Sequence, residues 1–186
     1  MELNDTELIA RVLSRDDRHA FGELVRRHQS AIRGFLRRLT GGQEAVADDL
    51  AQETFIEAYR HLAAYRGHAV FSTWLAGIAC NRWRSHRRHR HETAEWTGDA
   101  APADAAAGYE TTTPAGTAAA DLRHDLNLAI ARLSDDEQAA ILLCFNRGLT
   151  HEEAAEALGC PLGTVKTHLL RAKEKLRSHL QAWAPA

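Results

Sequence analysis

Residues 149–176 read LTHEEAAEALGCPLGTVKTHLLRAKEKL, two helical periods separated by Gly159-Cys160-Pro161. Thr150 with Glu153 three positions on is a capping-box start for the first period. That period turns Ala154, Ala155 and Leu158 to one side. Gly159 ends it, and Pro161 stands where the second helix begins, since a proline lacks only an N–H that a helix start leaves unpaired anyway. The second period turns Val165, Leu169, Ala172 and Leu176 inward. Two short helices joined by a glycine turn, with small alanines where they approach, have helix-turn-helix spacing. The outward set is Thr164, Lys166, Thr167, His168, Arg171 and Lys173. In such a unit the N-terminal half of the second helix reaches base edges in the major groove. Lys166, Thr167 and Arg171 suit base or phosphate contact, whereas Lys173, Lys175 and Arg177 suit phosphate. An ordinary helical hairpin is the plain alternative, and the basic outward face argues against it.

Upstream, residues 121–148 continue the helical pattern. Leu122, Leu126, Ile130 and Leu133 form one stripe, and Ser134-Asp135-Asp136-Glu137 is a second capping box before the apolar run 139–145. Before them comes a compositional break at 93–120. It contains Pro102 and Pro114, three glycines and no Lys or Arg, so a flexible, mildly acidic linker is expected. Residues 1–92 again read as helices. Leu8, Ile9, Val12 and Leu13 have helical spacing, as do Phe21, Leu24, Val25, Ile32, Phe35, Leu36 and Leu39. Gly41-Gly42 breaks the chain. A third helix carries Val46, Leu50, Phe55, Ile56, Tyr59 and Leu62, and a fourth covers about 72–90. The expected fold is all-α: two small helical domains, 1–92 and 121–186, joined by the linker 93–120.

A hydrophobic fraction of 45% excludes a chain disordered throughout, and an apolar run of seven residues is far too short to span a bilayer. The start, MELNDTE, is acidic, so no secretory signal is expected. Three cysteines, Cys80, Cys144 and Cys160, are odd in number and far apart, which argues against a disulfide framework and for a reducing cytoplasm. The net charge of −2 conceals a segregated distribution. Residues 43–59 carry Glu44, Asp48, Asp49, Glu53 and Glu57 with no base. Residues 79–91 carry Arg82, Arg84, Arg87, Arg88 and Arg90 with His86, His89 and His91 and no acid. One acidic and two basic faces on different helices point to more than one binding partner.

Two further stretches carry detail. Residues 48–60, DDLAQETFIEAYR, make an acidic amphipathic helix. Residues 65–84, YRGHAVFSTWLAGIACNRWR, alternate aromatics with bases, as a single nucleic acid strand requires: bases stack on aromatic faces while cations follow the backbone. Trp74, beside Leu75 and Ile78, reads better as core.

In this order, the helix over 21–39, the Asp-Asp-Leu-Ala-Gln-Glu-Thr-Phe box, the Phe-Ser-Thr-Trp-Leu box with Asn81, and the terminal helix-turn-helix resemble the extracytoplasmic-function (ECF) sigma factors of bacterial RNA polymerase. The resemblance covers nearly the whole chain outside the linker. It implies a promoter-melting domain (region 2), a linker, and a helix-turn-helix domain (region 4). It implies that the acidic box, here Asp48, Asp49, Leu50, Gln52, Glu53 and Phe55, docks on the β′ clamp helices of core RNA polymerase, with the β flap as a second contact. It implies that the loop formed by Gly67, His68, Ala69, Val70 and Phe71, with Asn81 beside it, captures a flipped base of the −10 element. Flipping costs a few kcal/mol of unstacking, and a pocket with an amide that both donates and accepts suits the extruded base. Arg82, Arg84, Arg87 and Arg88 would hold the strand backbone. Pro161, Gly163, Thr164, Lys166, Thr167, His168, Arg171 and Lys173 would read the −35 element. One position departs from the family: an Asp often follows the Asn of this box by four residues, and Ser85 stands here. The resemblance further implies promoter DNA as partner, and an anti-sigma factor, in the family usually membrane-anchored, as regulator. No cofactor or metal is implied.

The linker passes a test of reach. The 28 residues from 93 to 120 extend to at most about 90–100 Å. Two elements some 20 base pairs apart are separated by about 70 Å. Two other functions compete. A free-standing helix-turn-helix regulator with an N-terminal dimerisation domain leaves the acidic box and the aromatic-basic stretch without purpose. A metal-dependent enzyme or sensor would rest on His86, His89 and His91. On one helix the first two share a face and the third points elsewhere. No nucleophile–base set or glycine-rich phosphate loop is present.

Overall fold

A computed structural model describes residues 3–97 and 118–183, and every regular element among them is helical. The first four helices are α1 (Asp5–Arg15), α2 (Arg18–Leu39), α3 (Glu44–Arg60) and α4 (Phe71–Thr97). Their starts follow from local chemistry. Asn4 and Glu7 close a reciprocal capping box on α1. The Asp17 carboxylate accepts from the amides of His19 and Ala20 at 3.1 Å and starts α2. Gly41 and Gly42, at φ +66° and +86°, make the left-handed turn into α3 that side chains would resist. These helices pack on one another around Leu24, Ile32, Phe35, Leu36, Leu75 and Trp83. Trp83 is fully buried, as is Phe71, and Trp74 is partly covered in an aromatic cluster with Tyr65 and Phe71.

The second bundle contains α5 (Ala118–Ala131), α6 (Asp135–Phe145), α7 (His151–Leu158) and α8 (Leu162–His179). The boxes at Ser134–Glu137 and Thr150–Glu153 both form. Gly159 ends α7 in the left-handed region and Pro161 precedes the first residue of α8. Val165, Leu169 and Ala172 are buried as their spacing indicates, with Leu176 half-covered.

The helices extend further than expected. α4 continues through Thr97 and α5 begins at Ala118, so both ends of the 93–120 linker are helical and residues 98–117 lie outside the described part. No glycine or proline interrupts 91–97. The all-α fold of two helical domains is as expected, and in addition the two bundles share a single buried core. α4 packs on α7, and α2 and α4 reach α6. At Gly77 a Cβ would stand 2.7 Å from the carbonyl oxygen of Ala157, closer than side-chain carbons approach, so only glycine lets α4 and α7 meet this way. Gln138 of α6, 1% exposed, donates to the Leu39 carbonyl at the end of α2, 3.4 Å away.

Candidate nucleic-acid interface

The acidic face of α3 divides into two sides. Asp49, Gln52 and Glu53 are exposed, and Ile56, 51% exposed, adds the apolar edge between them. Leu50 and Phe55 are corrections: both lie in the core of the first bundle, because on a helix seated against α2 and α4 the large apolar positions of the box form its inner face. Asp48 is half-covered. The Arg33 guanidinium grips it through two hydrogen bonds, one of 2.7 Å from Nε, and holds its carboxyl below the usual carboxylate range. Glu57 is tied to Arg82 at 2.7 Å and to His61 at 2.9 Å.

Between the 3-10 turn Leu62–Ala64 and α4 lies a loop with Gly67 at φ +73°. The Tyr65 hydroxyl donates to the Ala69 carbonyl at 2.7 Å and closes the loop on itself. Gly67, His68 and Val70 are exposed, Ala69 half-covered. Phe71 is again a correction. As the first residue of α4 it is buried edge-on to Tyr65 and His28, so it supports the loop from beneath. The loop borders a cavity of about 340 Å³ lined by Tyr65, His68, Trp74 and Asn81. Its opposite wall, Glu156, Ala157 and Gly159, belongs to the second bundle.

The arginines of α4 differ in their engagement. Arg88 is exposed. Arg82 faces Glu57. Arg84 and Arg87 face the second bundle, pairing with Asp136 at 2.7 Å and Asp135 at 3.1 Å. Arg87 also lies over the Trp83 ring, 5.6 Å from its centroid. His86 is half-covered, and burial together with Arg90 depresses its pKa against the pull of Glu53 and Asp49.

On α8, Lys166, Thr167 and Arg171 are exposed with Pro161 and Gly163 at its start, while Thr164 and His168 are half-covered. The Thr167 hydroxyl donates to the Gly163 carbonyl at 2.9 Å. Lys173 lies over the Phe145 ring, 5.0 Å from its centroid. One helix therefore presents a basic outer face over an inner face of Val165, Leu169 and Ala172, the geometry a major-groove helix needs.

Two family models match in the same order: Sigma-70 region 2 over residues 24–93 and Sigma-70 region 4 over 123–176. The ECF RNA polymerase sigma-E factor of Haemophilus influenzae is 33% identical over 187 aligned positions, covering 97% of each chain. The RNA polymerase sigma-H factor of Pseudomonas aeruginosa is 33% identical over 95% of this chain and 94% of its own. The chain belongs to the ECF sigma factors.

Solved structures agree with the placement. The sigma factor RpoE of Bartonella quintana, solved with the anti-sigma factor NepR, superposes at a TM-score of 0.69, with 26% identity over 87% of this sigma factor and 96% of that chain. CnrH, solved with the cytosolic domain of CnrY, superposes at 0.66, with 26% identity over 97% and 99%. A protein of this family directs RNA polymerase to promoters.

Sequence reasoning missed four contributors to these surfaces. Ile56 lies among the apolar residues of its helix, and nothing local separates it from its buried neighbours. In the sequence Asp135 and Asp136 belong to a capping box and Glu156 stands out in no pattern, and no local signal marks a residue whose contact lies some 50 to 90 positions away. Among the described residues no group of three His, Cys, Asp or Glu side chains is placed to hold a metal ion, and the side chain of His91 lies outside those described. No described helix is long and apolar enough to cross a membrane.

Proposed function

We propose that this sigma factor binds core RNA polymerase through the exposed residues of α3, melts and holds the −10 element with the 65–70 loop, Asn81 and the arginines of α4, and reads the −35 element with α8. The observation that carries the assignment is the ordered set of three surfaces. An acidic helix with an apolar edge suits a basic coiled-coil partner such as the β′ clamp helices. The clasped loop beside a cavity containing Trp74 and Asn81 suits an extruded base, which needs both a stacking face and an amide. The basic face of α8 suits phosphate and guanine edges. Asp49, Gln52, Glu53 and Ile56 form the polymerase contact, with Leu50 and Phe55 shaping the helix from within and the β flap meeting the second bundle. Pro161, Gly163, Thr164, Lys166, Thr167, His168, Arg171 and Lys173 form the −35 set. The protein has no catalytic chemistry of its own and works in the cytoplasm.

An anti-sigma factor is its regulator. What supports this is that the relative RpoE was solved with the anti-sigma factor NepR; CnrH was solved with the cytosolic domain of CnrY.

The decisive experiment is run-off transcription by purified core polymerase on a genomic fragment library, with and without the protein. Initiation at a set of promoters sharing two spaced elements supports the assignment. No initiation, with sequence-specific duplex binding by the protein alone, overturns it in favour of a free-standing regulator.

A further inference from the structure

We propose that the packed arrangement of the two bundles is a self-closed state, in which the first turn of α6 occupies the arginines of α4 in place of a DNA strand. The proposal rests on the −10 assignment above. Arg84 pairs with Asp136 at 2.7 Å and Arg87 with Asp135 at 3.1 Å. A guanidinium takes a carboxylate or a phosphate with the same planar hydrogen-bonding edge, so these aspartates and a strand phosphate are alternative occupants. The site is favourable for acids: Asp135 and Asp136 lie in the first turn of α6, where the positive end of the helix dipole stabilises them.

Closure also obstructs the cavity. Its far wall is Glu156, Ala157 and Gly159 of the second bundle, so an extruded base meets α7 across the opening, and Glu156 adds an acid where a strand phosphate would pass. The two DNA surfaces are fixed side by side, whereas the elements they serve are about 70 Å apart at some 20 base pairs. Closed protein cannot engage both.

The seam is close-fitting yet poorly satisfied, which suits an interface made to part. Gly77 allows the backbone of α7 within 2.7 Å of where a Cβ would stand. Within the same seam Gln138 Oε1 and Arg84 Nε are buried with no hydrogen-bond partner, so opening returns both to water. Closure lowers apparent affinity for DNA by the fraction of molecules that are open.

Gly77→Ala tests this without altering charge. The atoms nearest the added Cβ are all backbone atoms of Ala157, and alanine favours an α4 freed from the seam. The wild type should scatter X-rays as a compact particle with a radius of gyration of about 16 Å, and G77A should be larger. Binding is measured by anisotropy on fluorescein-labelled oligo-dT, since arginine–phosphate contacts need no sequence. G77A should bind about five-fold more tightly. Arg84→Ala with Arg87→Ala in the G77A background should remove the gain, and Asp135→Asn with Asp136→Asn should reproduce it. Circular dichroism checks that each variant is folded. Equal scattering and equal oligo-dT affinity for folded G77A and wild type would overturn the closed state. An opened G77A that shows no gain would overturn the role of the aspartates as competitors. Neither readout uses polymerase, so failure of the run-off assay remains a separate result.

Discussion

Lys175 of α8 reaches across the second bundle to the buried carboxylate of Glu137 on α6, with Nζ 2.9 and 2.7 Å from its two oxygens. The same carboxylate receives the Ser134 amide in the capping box. Burial alone would raise the pKa of Glu137, but Lys175 and the Ser134 amide outweigh it and hold the carboxyl below its usual range. A depressed folded-state pKa stabilises the protein above the unfolded value, about 4.3, and that stabilisation is lost as pH falls through the folded value. Glu137→Gln should lower stability by about 1–3 kcal/mol at neutral pH. The gap to wild type should narrow below about pH 4, as melting followed by circular dichroism at several pH values will show. A constant gap would contradict the account.

The two sides of α3 should separate in experiment. Ile56→Asp, on the exposed edge, should leave the melting temperature nearly unchanged and raise the concentration of protein needed to half-saturate core polymerase. Leu50→Ala and Phe55→Ala should cost about 2–5 kcal/mol in chemical denaturation, because each leaves a void in a packed core.

On α8 the two kinds of contact have different signatures. Arg171→Ala should weaken binding to promoters by about 1–3 kcal/mol and relax the −35 sequence preference. Lys173→Ala should weaken all promoters alike and reduce the salt slope of binding by about 0.9. Competition footprinting of the reconstituted holoenzyme over a range of salt concentrations distinguishes them.

Cys80 is buried on the inner face of α4, and burial pushes its thiol up to about 12. With almost no thiolate at neutral pH, it should resist Ellman's reagent in the native protein and react only after denaturation. Rapid native labelling at Cys80, located by mass spectrometry of the tryptic peptides, would contradict the packing.

What could be read from the residues in advance is what depends on neighbours in sequence. The boxes at Ser134–Glu137 and Thr150–Glu153, the glycine end of α7 and the buried face of α8 are local patterns, and they formed as read. Leu50, Phe55 and Phe71 lie in stretches with a functional resemblance. A resemblance marks a stretch without saying which of its side chains face inward, and a large apolar residue next to a packed helix goes to the core. The seam was hidden for a different reason. Gly77 and Ala157 are 80 positions apart, and neither breaks the period of its own helix. Contacts between already amphipathic bundles leave no periodic trace.

The contact between Gln138 and the Leu39 carbonyl joins parts of the chain 99 residues apart. Within each bundle, by contrast, helices pack mainly on their near neighbours in sequence, and such short-range topologies form quickly. A ribosome adds only about 5–20 residues per second, so the N-terminal bundle is complete seconds before Gln138 is made. For that interval every newborn molecule carries Arg84 and Arg87 of α4 without their partners on α6. Polymerase or a regulator present at the ribosome would then meet this sigma factor before the molecule had the means to fold over its own surface.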